Sequence, residues 1–70
     1  MPTFIVNKNT QSNGDHEVHN KTTGRTYMPD ISNQMHLGIH ASCHGAVAEA
    51  RKTYRTANGC YYCCNPCHTS

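Results

Sequence analysis

Ser42-Cys-His-Gly-Ala-Val-Ala-Glu-Ala-Arg-Lys-Thr-Tyr-Arg-Thr-Ala-Asn-Gly59 is the stretch whose periodicity decides the fold class. Cys43, Val47, Ala50 and Tyr54 fall at i, i+4, i+7 and i+11, with Ala46 and Ala57 beside them, so one apolar stripe runs at the helical period. Ser42 suits an N-cap, the alanines favour helix, Glu49 can pair with Lys52 one turn on, and Asn58-Gly59 offers a C-terminal stop. These features predict a helix from about residue 43 to 56, with Cys43 a small core residue at the start of the stripe. Arg51, Lys52 and Arg55 lie in its last turns, where cations meet the negative end of the dipole, and form a solvated face.

On the N-terminal side of that helix the pattern is short and β-like. Thr3-Phe-Ile-Val-Asn7 is rich in β formers, and Asn13-Gly14 is a strong turn dipeptide. His16-Glu-Val-His-Asn-Lys21 then resumes with Val18 facing one way and His16 out of phase with His19. Residues 22–33 read as an irregular connection anchored by Tyr27, Met28 and Ile31, and Met35-His-Leu-Gly-Ile39 as a short strand broken at Gly38. The expected architecture is α+β: one domain over residues 1–70, an antiparallel sheet of two to three strands near 3–7, 16–21 and either 35–39 or 59–63, packed on one helix, with a C-terminal cysteine-rich knuckle.

Such a chain has little apolar material. It holds one Phe, no Trp, three Met, three Ile, three Val and one Leu, and a domain of this length buries only about 60% of its unfolded surface and gains roughly 3–5 kcal/mol from its core. A metal or covalent staple is therefore expected. Five cysteines are present, four of them in Cys60-Tyr-Tyr-Cys-Cys-Asn-Pro-Cys67, directly before His68. The run contains two Cys-x-x-Cys pairs, Cys60/Cys63 and Cys64/Cys67, whose spacing lets two thiolates of one tight turn reach a tetrahedral zinc ion. The odd cysteine count leaves one thiol over in any all-disulfide scheme. Met1-Pro-Thr-Phe-Ile-Val-Asn-Lys8 lacks the basic and apolar regions of a signal peptide, and no apolar run approaches membrane-spanning length. Together these favour a reduced, zinc-binding, cytoplasmic protein without membrane association.

If Cys60 and Cys63 form the knuckle pair, two ligands must come from elsewhere. His16 and His19 on the second strand are the imidazole donors, with Cys67 and His68 as local competitors; the expected set is Cys60, Cys63, Cys67 and His19. His36, His40 and His44 show no ligand spacing and read as surface residues. The net charge of +2 is spread along the chain, too dilute for a nucleic-acid footprint.

The order of strand with Asn7-Lys8-Asn9, histidine motif, proline-containing loop, short strand, helix opening Ser42-x-x-x-Ala46, then Gly59-Cys60-x-x-Cys63 resembles the small zinc module of the bacterial DNA-repair activator Ada and its relatives appended to nucleases. The resemblance spans most of the chain. It implies that Cys60 and Cys63 match that family's second ligand pair and His19 the histidine opening its loop motif. A cysteine a few residues after His19 is missing, with Thr22, Thr23 and Thr26 in its place and Cys64 and Cys67 as spare thiols. The methyl-accepting cysteine belongs to the missing part, so alkyl transfer is not implied. Three function classes follow: a small zinc-stabilised interaction module contacting nucleic acid or protein, which is the leading one; a thiol redox protein; and a metal-free disulfide-linked domain. No βαβ setting of the kind that accompanies thioredoxin-like motifs is expected, and His16-Glu17-Val18-His19 on a strand is not the helical motif of zinc proteases.

Overall fold

The computed structural model describes residues 1–10, 14–24 and 28–68. Strand β1 (Thr3–Asn7) is followed by β2 (His16–Asn20), β3 (Gln34–Ile39), helix α1 (Cys43–Ala50) and β4 (Ala57–Gly59), with short 3-10 turns at Ile31–Asn33 and Asn65–Cys67. The strands form one sheet in the order β3-β1-β2-β4. The architecture is α+β, as expected, with one helix packed on a four-stranded sheet.

The sheet is mixed. β1 pairs antiparallel with β2 and with β3, whereas β4 pairs parallel with β2. β3 and β4 therefore run in the same direction at opposite edges, and α1 carries the chain from one to the other as a split βαβ unit. A helical crossover is what returns a strand parallel to its predecessor, so the expectation of no βαβ setting is corrected. Its Cys-x-x-Cys follows β4 and does not open the helix. Asn58 and Gly59, expected to stop the helix, are instead buried in β4, and α1 ends at Ala50 in turns where the main-chain N–H groups of Thr53 and Tyr54 donate to Ala50 O. The expected Glu49–Lys52 pair forms at 3.1 Å. Ser42 is the N-cap by position, but its hydroxyl makes no capping bond.

β3 continues through Gly38 instead of breaking there. Phe4 lies opposite Gly38 and Ile5 opposite His36, so Leu37 is an extra residue on β3, and Gly38 supplies the positive φ (85°) that such a bulge uses. Of the sequence-derived turn and anchor residues, Asn13 and Tyr27 lie outside the described residues.

Phe4, Val6, Val18 and Leu37 meet Cys43, Ala46, Val47 and Ala50 of α1, with Ala57, Cys60, Cys64 and Cys67 closing the same core. The buried helix positions follow the predicted stripe. Tyr54 lies past the helix end, half-buried, its ring stacked on His16 with centroids 3.9 Å apart. Among the described residues, four of the thirteen buried apolar side chains are cysteines. The expectation that hydrophobic burial is supplemented by sulfur chemistry thus has a structural counterpart. No helix is long and apolar enough to cross a membrane among the described residues.

Candidate metal centre

β-strand parity decides which histidine of His16-Glu17-Val18-His19 can reach the knuckle. Val18 faces the helix, so His16 shares that side and stacks on Tyr54, its Nδ1 2.9 Å from Asn7 O. His19 turns the other way, opposite Ile5 across the β1–β2 pair, and is 2% exposed.

The knuckle is anchored where β4 ends. Cys60 N–H donates to Val18 O at 2.9 Å, Cys64 N–H to Cys60 O at 2.9 Å and Cys67 N–H to Cys64 O at 2.9 Å. Two tight turns thus succeed one another from Cys60 to Cys67. Within the first, the sulfur of Cys60 accepts the main-chain N–H groups of Tyr62 and Cys63. The main-chain N–H of Asn20, at the end of β2, points at the sulfurs of both Cys63 and Cys64. Donors of this kind favour thiolate sulfur.

His19, Cys60 and Cys63 bring their ligand atoms within 4.8 Å of one another. Zinc–nitrogen and zinc–sulfur bonds of about 2.0–2.1 and 2.3 Å in a tetrahedron hold the two ligand atoms roughly 3.6 Å apart. The observed separation of His19 Nδ1 from Cys63 Sγ is 3.5 Å. The other ring nitrogen, Nε2, faces Glu17 Oε1 at 3.5 Å, the outer-sphere carboxylate that commonly orients a ligating imidazole. The donor set and its surroundings are thus able to hold a metal ion.

Cys64 adjoins this trio and is 1% exposed. The thiol of Cys63 donates to the Cys64 sulfur, which, with burial, pushes Cys63 up to about 12. The same hydrogen bond holds Cys64 below the ordinary thiol value, and burial pushes Cys60 above it. The two sulfurs are thus hydrogen-bonded neighbours, with Cys63 the donor and Cys64 the acceptor.

Two glycines make room for the knuckle. A Cβ on Gly24 would lie 2.6 Å from Cys63 Cβ and 2.7 Å from its Sγ, and one on Gly59 would lie 2.7 Å from Cys64 O and 2.8 Å from Cys67 Cβ. Gly24 is brought there by Asn20, whose carbonyl oxygen accepts the Gly24 N–H and whose side-chain Oδ1 accepts the N–H groups of Thr22 and Thr23. Asn20 and Gly24 are the site residues that motif spacing missed, whereas Cys64 is marked by its own Cys-x-x-Cys pair but lies outside the expected ligand set. Asn20-Lys-Thr-Thr-Gly24 does carry a turn signal, an Asx residue four before a glycine.

Of the four expected ligands, His19, Cys60 and Cys63 come together and Cys67 does not. Cys67 is joined to Cys43 by a disulfide across a Cα–Cα distance of 6.2 Å, because the turn at Asn65–Cys67 carries it under the start of α1. Cys43 is a core residue as expected, and a covalent staple as well. The chain therefore combines one disulfide with three free thiols, which corrects the expectation of an entirely reduced protein. His68, the other local competitor, directs Nδ1 to Gly59 O at 3.0 Å. His44 lies with Cys43 and Cys67 in a second group whose ligand atoms also fall within 4.8 Å.

The chain is thus a small cysteine-rich α+β domain with a disulfide and with Cys/His groups able to hold a metal ion. No family model matches it, and no curated protein or solved structure is significantly similar to it.

Proposed function

We propose that this protein is a zinc-stabilised interaction module in which His19, Cys60, Cys63 and Cys64 hold the ion, and in which metal replaces the hydrophobic core that so short a chain lacks. The observation that carries this reading is the convergence of His19, Cys60 and Cys63 within 4.8 Å. Glu17 behind the imidazole and main-chain N–H groups on the sulfurs support it. Cys64 takes the fourth position because Cys67 is committed to the disulfide and the Cys64 sulfur is already hydrogen-bonded to Cys63. The resemblance to the Ada-type module agrees in assigning Cys60, Cys63 and His19 to a metal.

Between the ligands, Tyr61 and Tyr62 project 56% and 67% exposed, packed edge-to-face. They form the surface that such a module presents to a protein or to nucleic-acid bases. The thiol redox alternative fits less well. A reactive thiolate needs access, and Cys64, the only free thiol here with a lowered pKa, is 1% exposed.

Elemental analysis of the disulfide-intact protein tests the reading: one zinc per chain is expected, lost in Cys60→Ser and weakened at least tenfold in His19→Ala. Zinc content near zero, with the untreated protein melting at the same temperature as after chelation, rejects it.

A further inference from the structure

We propose that the Cys43–Cys67 disulfide masks a second metal site, which reduction opens and His44 completes. Cys43 and His44 are the first two residues of α1, Cys67 closes the turn at Asn65–Cys67, and the ligand atoms of all three lie within 4.8 Å of one another. A tetrahedral zinc dithiolate holds its two sulfurs roughly 3.8 Å apart. The two cysteines already direct their sulfurs at one another across a Cα–Cα distance of 6.2 Å.

The surroundings differ from those of the His19 group in the way an exchangeable site requires. His44 is exposed. A cavity of about 290 Å³, lined by His44, Val47, Ala48, Arg51, Pro66 and Cys67, opens beside the group and gives a path to solvent. Position one of an eight-residue helix favours thiolate at Cys43 once the disulfide is broken.

The chemistry has two balanced steps. A dithiol reductant gives two electrons and two protons to the Cys43–Cys67 bond, which becomes two thiols while the dithiol closes to its own disulfide. A zinc ion then displaces those two protons, taking the two thiolates, the neutral imidazole of His44 and a solvent water. While the disulfide stands, only His44 remains as a donor and the site is closed. Metal capacity of the chain therefore follows the redox state of its surroundings.

Zinc titration of the full chain against a chromogenic chelator, in the disulfide form and after reduction with a phosphine, with circular dichroism recorded on each sample, tests this. Reduction should add one tight equivalent in the wild-type protein. His44→Ala, an exposed substitution, should weaken that added equivalent at least tenfold and leave the other untouched, whereas His19→Ala should weaken the other and leave the added one. A rise from zero to one that depends on His44 supports this site while rejecting the His19 site. No added equivalent in a reduced, folded protein, an added equivalent insensitive to His44→Ala, or loss of the fold on reduction in the presence of zinc each overturns the proposal.

Discussion

Among the described residues, two groups of two cysteines and one histidine occur in this small domain, and they have been built into opposite states. His19, Cys60 and Cys63 stand close without a covalent bond, His19 and Cys60 buried and Cys63 half-buried beside Gly24, with Glu17 on the imidazole and main-chain N–H groups on the sulfurs. Cys43, His44 and Cys67 have the same composition at the helix start, yet the two cysteines are covalently joined and the histidine faces solvent. Composition does not separate the two. What does is backbone placement: the turn after Cys60 aims main-chain N–H groups at sulfurs that stay separate, whereas the second group joins the ends of a loop of sequence separation 24. The first is a group of separate donors able to hold a metal ion and the second is a clamp.

The largest effect expected from breaking this contrast is on the first group. Structural zinc contributes an apparent ~10–16 kcal/mol in zinc-finger peptides, comparable with the ~5–15 kcal/mol that holds a whole domain. Cys60→Ser, or chelation of the wild type, should therefore lower the melting temperature of the domain by tens of degrees. A Cys60→Ser protein that melts with the wild type would remove the first group from the stability of the fold altogether.

Next in size is Val47→Asp, which strikes the core on which both groups rest. Val47 is 6% exposed among Phe4, Val6, Val18 and Leu37. Losing its burial and placing an unpaired carboxylate there costs upwards of about 4 kcal/mol. A denaturant midpoint equal to that of the wild type would mean that the helix stripe does not face the sheet.

Cys43→Ser should cost less, roughly 3–4 kcal/mol, the chain entropy restored to the unfolded state by opening a loop of this length. The protein should stay folded in zinc, with a lower midpoint, and keep the equivalent held by the first group. A loss of stability as large as in Cys60→Ser would erase the distinction between the two groups.

How much of this was legible follows from which signals are local. The helix stripe at Cys43, Val47 and Ala50 and the strands around Phe4 and Val18 are periodic patterns, and they appear where expected. β4 was hidden because Ala57-Asn58-Gly59 is made of turn formers; its strand character comes from pairing with β2 through the crossover, a tertiary effect. The bulge at Leu37 looked like a break because Gly38 is a break in most strands. At the site, Cys60 and Cys63 were readable from spacing, and strand parity separates His19 from His16 once Val18 is placed inside. Cys64 and Cys67 are equivalent by spacing alone. Only the turn at Asn65–Cys67, which turns one sulfur toward Cys63 and the other toward the helix, tells them apart. A disulfide partner 24 residues away leaves no local trace.

The smallest expected effect concerns protons, and it sharpens the same comparison. In the metal-free protein with its disulfide intact, Cys63 is pushed from 9.0 up to about 12 by donating to Cys64 and by burial, and Cys60 is raised by burial. Folded-state values above the unfolded ones mean that the folded form keeps protons the unfolded chain gives up. Stability from these two groups is complete below about pH 9 and is lost as pH rises toward about 12. Cys64, shifted downward, acts in the opposite sense, but its contribution is already complete above 9.0 and adds no slope there. The clamp cysteines do not titrate while joined. The denaturant midpoint of the stripped protein should therefore fall between about pH 9 and pH 11, with a shallower fall in Cys63→Ser. With zinc bound the fall should disappear, since the ion has already displaced the protons. A stripped protein whose midpoint is level across that range would mean that Cys60 and Cys63 ionise alike in the folded and unfolded chain, and the first group would lose the desolvated, hydrogen-bonded thiols that set it apart from the second.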